Sequence, residues 1–420
     1  MNREKNHRIT LFIVLIGLFC VQEMSAQTIE GRDGNWRSVV QHDSDASGAV
    51  ELLIHNVLGN ITVKGAKTSR ITVNERLSLN SGTENQARTS AAQSKMEFRR
   101  SGSSIELSPG DQASPIRGAS YEITIPETMR VFVDVSSGNM VVSDLQGLVH
   151  LDTGSGNVNV KNVLGPLEIR SGAGNVTLDT IRKSSLVNTG GGNVTASATR
   201  SSLTVTTGGG NVEISDATGD VSLTTAGGSL TINKIGGNAR LFTSGGDISA
   251  RDVKGSLGAS TSGGRIDMAN IVGEVDASTN GGSIEGSQFS SWINADTNAG
   301  DIRLTGVRNG FNLIAEVGNV YVELEDARFL SAGDASIEGR FGNVTLIVPA
   351  AMNGQISALV FESGSIEFKN PGRAVETIRE RPSAKGESLR RAEYKIGTGG
   401  GRITLSTRSG RIDLSLRTGG

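Results

Sequence analysis

Eleven positions of this chain stand 18 residues apart without a slip: Asn139, Asn157, Asn175, Asn193, Asn211, Ser229, Asp247, Arg265, Ser283, Asp301 and Asn319. Most follow a Gly, as in Gly190-Gly191-Gly192-Asn193-Val194, and all precede an apolar residue. A constant period of this size marks a solenoid, in which each repeat is one coil that cannot bury its apolar face alone. Coil positions are numbered here from these anchors.

The coil Asn211–Gly228 shows the pattern. Apolar residues stand at positions 2, 4, 7, 11 and 13. The pairs 2/4 and 11/13 alternate with period two, the mark of a strand with one buried face. Position 9 is often Gly, as at Gly219 and Gly237, and positions 17 and 18 are usually Gly-Gly. Two strands and two glycine turns per coil follow, with glycine supplying positive backbone angles at the turns. Stacked coils put like on like: Val158, Val176, Val194 and Val212 at position 2, and Thr189 through Thr297 at position 15. Position 13 turns to Ala259, Ala277 and Ala295, offset by larger residues in the same coils, Met268, Ile271 and Phe289. Ten coil intervals at a strand spacing of about 4.8 Å give a stack of about 48 Å. Right-handed crossovers dominate parallel connections. The expectation is therefore an all-β fold, a single-stranded right-handed parallel β-helix with irregular β caps at both ends. A left-handed hexapeptide helix would need three equal apolar marks six residues apart.

Composition narrows the rest. With 56 Gly and only 7 Pro and 4% aromatics, glycine does not recur at every third position, so collagen is excluded. A formal net charge of -2 leaves no electrostatic footprint for nucleic acid. Arg3, Lys5 and Arg8 precede an apolar run from Ile9 to Val21, and Met24-Ser25-Ala26 offers a cleavage point. Residues 1–26 thus read as a secretory signal peptide cleaved near Ala26, too short for a stable membrane span. Lipidation at Cys20 is the competing reading, opposed by the bulky Phe19 before it. Cleavage would leave a mature chain without cysteine and without a transmembrane span, in the periplasm, on the outer surface or secreted.

Residues 27–135 are β-rich but irregular, with a long polar insertion from Asn80 to Gly102. Residues 136–320 hold the regular coils. In 321–420 the period breaks: the next Gly-Asn-Val anchor, Asn343, lies 24 residues after Asn319. Residues 370–395 are charged and read as an exposed loop. Both irregular regions are expected to cap the stack's open ends. No segment shows helical periodicity.

Three groups of residues carry a family resemblance. They are Asn56-Val57-Leu58-Gly59-Asn60-Ile61-Thr62-Val63, the strand Tyr121–Pro126, and the Gly-Asn-Val turns closing on Ser409-Gly410-Arg411-Ile412-Asp413-Leu414. Over about residues 48 to 416 the chain resembles the bacterial domain-of-unknown-function family labelled as adhesins, exported glycine-rich β-solenoids. The resemblance implies a β-solenoid at the cell envelope and supplies no catalytic residues.

The chemistry is sparse. His42, His55 and His150 show no metal-ligand spacing. A repeated calcium-roll Asp is missing from the turns. Gly208-Gly209-Gly210-Asn211 is followed by a strand, where a phosphate loop needs a helix and a Lys. The sequons at Asn60, Asn175, Asn193 and Asn343 arise from the repeated Gly-Asn-Val-Thr turn. Tyr321 and Phe242 are outward and isolated, while Phe289 and Phe311 fall at inward positions. Outward acids deserve more weight. Asp267 and Glu285 occupy position 3 of adjacent coils, about 5 Å apart, a separation compatible with retaining glycoside hydrolysis. The alternative is pairing along the ladder, as for Asp152 with Arg170 and Asp247 with Arg265.

No catalytic, cofactor-binding or metal-binding residue is assigned. The leading expectation is a non-enzymatic envelope protein, an adhesin or scaffold whose polar outer face meets a cell-surface or envelope component, glycan or protein. A polysaccharide-active enzyme using Asp267 and Glu285 is the second reading, and a periplasmic sensing or regulatory module the third.

Overall fold

The chain is described from a computed structural model, which covers residues 24–32, 34–110, 116–325, 334–362, 364–369, 375–382, 388–398 and 400–417. Most of the expected signal peptide, Cys20 included, lies outside the described residues. The backbone of Met24–Arg32 forms a strand antiparallel to Asn35–Asp45, so Met24, Ser25 and Ala26 sit in its first pairs. The chain divides into two compact units, 1–136 and 137–420.

The first unit is a β-structure of mixed strand directions. Arg70–Leu79 runs antiparallel to both Asn35–Asp45 and Ile116–Pro126. Ile116–Pro126 also pairs in parallel with Asn60–Ala66. A second ladder joins Glu51–Leu58, Ser104–Pro109 and Met96–Ser101. Within the polar insertion Asn80–Gly102 stands a helix, Glu84–Gln93, where no helix was expected. Thr83 caps it: its hydroxyl accepts from the Gln86 N–H while the Gln86 side chain accepts from the Thr83 N–H. This reciprocal capping box satisfies two of the orphan donors of a helix start. Only Ala87, Ser90 and Ala91 of the helix are buried, which explains why no broad apolar stripe marked it.

The second unit is the solenoid. Val158 pairs with Val176, Val176 with Val194, and Val194 with Val212, all in parallel and each 18 residues on. Strands from positions 2–7 build one sheet, face A, and strands from positions 11–15 a second, face B. Positions 2, 4, 7, 11, 13 and 15 are inward and buried, as in Val212, Ile214, Ala217, Val221, Leu223 and Thr225. Phe289 and Phe311 are buried in the core. Phe289 occupies the space that a side chain at Gly286 would need, since a Cβ there would lie 2.4 Å from its Cζ. A bulky position 7 thus offsets a vacant position 4 in the same coil.

Two inward positions three apart, 4 and 7, cannot both follow strand alternation. The backbone resolves this at position 6. Asp144, Asn162, Thr180, Ala198, Asp216, Lys234, Asp252, Asn270 and Gln288 all carry φ between 52° and 61°. One left-handed residue per coil turns the chain and resets which side faces inward. The positive angles expected of the turn glycines occur at position 18 in Gly138, Gly156, Gly174, Gly300 and Gly318, while the position-6 turn takes its positive angle from non-glycine residues in these nine coils. The glycines at position 18 also serve close approach: a Cβ on Gly210 would lie 1.9 Å from the Gly192 carbonyl oxygen of the coil before.

Where the 18-residue period breaks, the stack continues in space. Ala335–Phe341 pairs with Arg402–Ser409, and Val344–Pro349 with Arg411–Arg417. On their other side these closing strands pair with Gly354–Phe361 and Ser365–Lys369. The chain's last strands are thus inserted as the penultimate coil, with coil 354–369 outside them. Residues 370–395, expected as a charged loop, contribute two strands, Val375–Pro382 and Ser388–Ile396, paired antiparallel. The second of these also pairs antiparallel with Gly354–Phe361, covering an edge that would otherwise present unpaired backbone groups.

Candidate functional site

Two internal ladders order the outer surface. At position 1 the side chain accepts from the next coil's anchor N–H: Asn175 from Asn193 at 3.0 Å, Asn193 from Asn211 at 2.8 Å, and Asp301 from Asn319 at 2.7 Å. The series crosses the break, with Asn319 accepting from Asn343 and Asn343 from Arg411. At position 15 the Thr hydroxyl donates to the preceding coil's position-18 carbonyl and accepts from its own coil's position-18 N–H. Thr225 does so with Gly210 at 3.1 Å and Gly228 at 3.2 Å. These bonds lock turns that glycine alone would leave loose.

On this frame Asp267 and Glu285 are in register, as expected. Arg265 lies between them, its guanidinium 3.0 Å from Glu285 and 3.7 Å from Asp267, and Arg251 reaches Asp267 at 3.4 Å. The pair is thus part of an outward charge ladder. The expected Asp247–Arg265 pairing takes a different form: the Asp247 carboxylate accepts from the Arg265 backbone N–H at 2.8 Å, which frees the guanidinium for Asp267 and Glu285. Asp152 and Arg170 lie 3.9 Å apart, with Arg170 bonded to Glu168 as well. His150 lies 2.9 Å from Asp152 and 3.2 Å from Glu168. His55 meets Glu106 at 2.9 Å, and the buried His42 meets the buried Glu75 at 3.2 Å. Glu75 also accepts from the Met96 N–H at 3.0 Å, a structural role within the first unit. Among the described residues no three His, Cys, Asp or Glu gather in a metal-binding group.

Sequence reasoning passed over Trp292. It stands at position 10 just before face B, and its ring lies across Gly310, where a Cβ would come within 2.0 Å of it. It closes one end of an open groove of ≈ 650 Å³ along positions 10–12 of face B. Arg240 and Gly258 line the middle, and Asp220, Glu274 and Asp276 are the groove's acids. Phe242 is outward on the same strand as Arg240, two residues on, and is 45% exposed. Tyr321 differs: the Arg303 guanidinium sits 4.2 Å above its ring.

Near the groove, burial holds the Asp296 carboxyl above its ordinary range, and the charge of Asp276 adds to this. A carboxyl whose folded pKa exceeds its unfolded one costs stability as pH rises through that window. Asp296→Asn is therefore expected to raise Tm slightly at neutral pH and to change it little near pH 3, below the ordinary carboxylate value. Thermal melts at both pH values check this, and an equal shift at both would contradict it.

Comparison with known proteins places the middle of the chain. Residues 51–240 match the family model described as Toastrack DUF4097. That match ends within the regular coils, short of residue 416, the expected end of the resemblance. No curated protein matches in sequence. A solved structure, a "putative cell adhesion protein" from Clostridium sporogenes ATCC 15579, is similar over 94% of this chain and 100% of its own, at 8% identity and a TM-score of 0.14.

Proposed function

We propose that this chain, a Toastrack protein by its residues 51–240, is an exported, non-enzymatic envelope protein that binds a surface component by repeated contact along its outer faces. The observation that carries the reading is the ladder itself. Backbone pairing and the position-1 and position-15 bonds hold outward side chains in straight rows, one per coil, at a spacing of about 4.8 Å. Rows of this kind offer many weak, equivalent contacts, from which avidity supplies the affinity. Arg265, set between Asp267 and Glu285, supports the non-enzymatic part, because it ties up the outward acid pair that the sequence offered for sugar hydrolysis. Among the described residues no helix is long and apolar enough to cross a membrane.

The test is co-sedimentation of the purified chain with isolated bacterial envelopes, alongside an assay for released reducing sugar. The expected result is retention on envelopes without sugar release, unchanged in an Asp267→Asn, Glu285→Gln double variant. Sugar release that this variant abolishes would replace the proposal with the enzymatic reading, and absence of retention would remove adhesion.

A further inference from the structure

Face B carries two groups that the regularity of the coil does not explain. One is Phe242. Its coil position is filled by Thr206 and Thr224 before it and by Ser260 and Ser278 after it. This aromatic ring among small hydroxyl residues is 45% exposed. Tyr321, by contrast, has its ring covered by Arg303. The other is Trp292, placed at the groove's end by its seat on Gly310. Three coils separate them along the stack, about 14 Å, and four strand positions across face B, about 13 Å.

Between these aromatics the floor is low and polar. Gly258 follows Arg240 directly in the position-12 row, then Asp276 and Asn294. Most charges on the outer faces are answered along the ladder, as in Arg265 with Glu285 or Arg308 with Glu325. Arg240 and Glu274 differ. The side chain of neither takes part in an ion pair or hydrogen bond among the described residues. Three carboxylates, Asp220, Glu274 and Asp276, face one guanidinium in the groove. That balance repels a polyanion and leaves acceptors and donors for hydroxyl groups.

We infer that the outer side of face B, running obliquely from Trp292 at position 10 to Phe242 at position 14, is a binding site for a neutral, linear carbohydrate chain. The site rests on the adhesion reading and supplies its ligand class. A pyranose ring has an apolar C–H face, which stacks on the negative face of an aromatic ring, and a rim of hydroxyls that bond carboxylates, amides and guanidinium. An extended chain of such rings advances by about 5 Å per sugar, so four rings span the diagonal of about 19 Å between the two aromatics. The groove, open at its length, suits the middle of a polymer as well as its end.

The test is titration calorimetry of the full chain with soluble neutral β-glucan oligomers of four or more rings, with uronic-acid oligomers of equal length, and with gelatin as a protein probe. The neutral oligomers are expected to bind. Phe242→Ala is expected to weaken them about tenfold, the size of one aromatic stack. Tyr321→Ala on face A is the matched control and is expected to leave Kd unchanged. Phe242 is 45% exposed, so its truncation is expected to leave Tm unaltered. Tighter binding of the uronate oligomers overturns the inference, as does an unchanged Kd in Phe242→Ala or heat from gelatin alone. If the chain still sediments with envelopes in that case, the adhesion reading stands and only this site and ligand fall. If envelope retention also fails, both fall together.

Discussion

Gly210→Ala is expected to destabilise the solenoid by at least about 3 kcal/mol, while Gly209→Ala, one residue earlier, is expected to be neutral or stabilising by a few tenths of a kcal/mol. Both glycines belong to the same Gly-Gly-Gly-Asn turn, and composition alone does not separate them. The backbone of the neighbouring coil does. A Cβ on Gly210 would lie 1.9 Å from the Gly192 carbonyl oxygen, 2.4 Å from its carbon and 2.9 Å from the Asn193 nitrogen. None of these atoms is the far end of a flexible side chain, so relief requires two coils to separate and their parallel ladder to loosen. At Gly209 nothing lies within 4 Å and φ is not positive, so an alanine fits and lowers the entropy of the unfolded chain. Urea denaturation of the two variants checks the contrast. Equal loss in both would mean that the turn needs glycine for its dihedral angles and not for close approach.

The same contrast shows how far the sequence could be read. The inward positions were legible because burial leaves a period-two mark on each strand, and Phe289 and Phe311 fell on it. The anchors were legible by spacing, but their role was not. A Gly-Asn pair reads locally as a turn, whereas the bond from Asn193 to the Asn211 N–H joins residues 18 apart and exists only once coils stack. The left-handed residue at position 6 left a trace in the odd interval between inward positions 4 and 7. Asp and Asn, which tolerate positive φ, fill that position in most of these coils, but Thr, Ala, Lys and Gln interrupt the row and deny it a uniform signature. The helix Glu84–Gln93 had its capping box in plain view at Thr83 and Gln86, but a polar, three-residue buried face gave no periodicity to find.

Order along the stack was the least legible feature. Local strand patterns state that Arg402–Ser409 and Arg411–Arg417 are strands, and nothing in them states that they insert between coils 335–349 and 354–369. The insertion is nevertheless consistent with the ladder. Thr407 donates to the Gly342 carbonyl at 3.0 Å, and Arg411 donates its N–H to Asn343 at 2.9 Å. The penultimate coil thus obeys the bonding rules of the regular ones across a jump of 68 residues. For the candidate site the limit was similar. Phe242 and Trp292 are single departures from their rows, and a departure acquires meaning only when the groove that Trp292 closes is visible, with Phe242 on the strand of its Arg240.

Thr225→Val is expected to cost about 2–4 kcal/mol, more than Thr225→Ser, which is expected to cost about 1 kcal/mol. Hydrophobic burial alone gives the opposite order. Thr225 is 1% exposed in the inward row, where valine matches its shape and serine removes a methyl group. The hydroxyl decides. It donates to the Gly210 carbonyl of one coil and accepts from the Gly228 N–H of the next turn. Valine deletes both bonds in a site without solvent, and each abandoned polar group costs about 1–3 kcal/mol. Serine keeps both and loses only the methyl contact. The residue repeats as Thr207, Thr243, Thr261 and Thr279 with the equivalent two partners, and Thr297 keeps the donated bond, so the cost belongs to the architecture and not to one location. A Thr225→Val, Thr243→Val double variant is therefore expected to lose more than the sum of the singles. Gly228 bonds to both hydroxyls, by its N–H to Thr225 and by its carbonyl to Thr243, and the double change strips it of both. Chemical denaturation of the four proteins gives the coupling directly. Strict additivity would show that each turn is held independently and that the Thr row is a set of separate bonds, not a ladder.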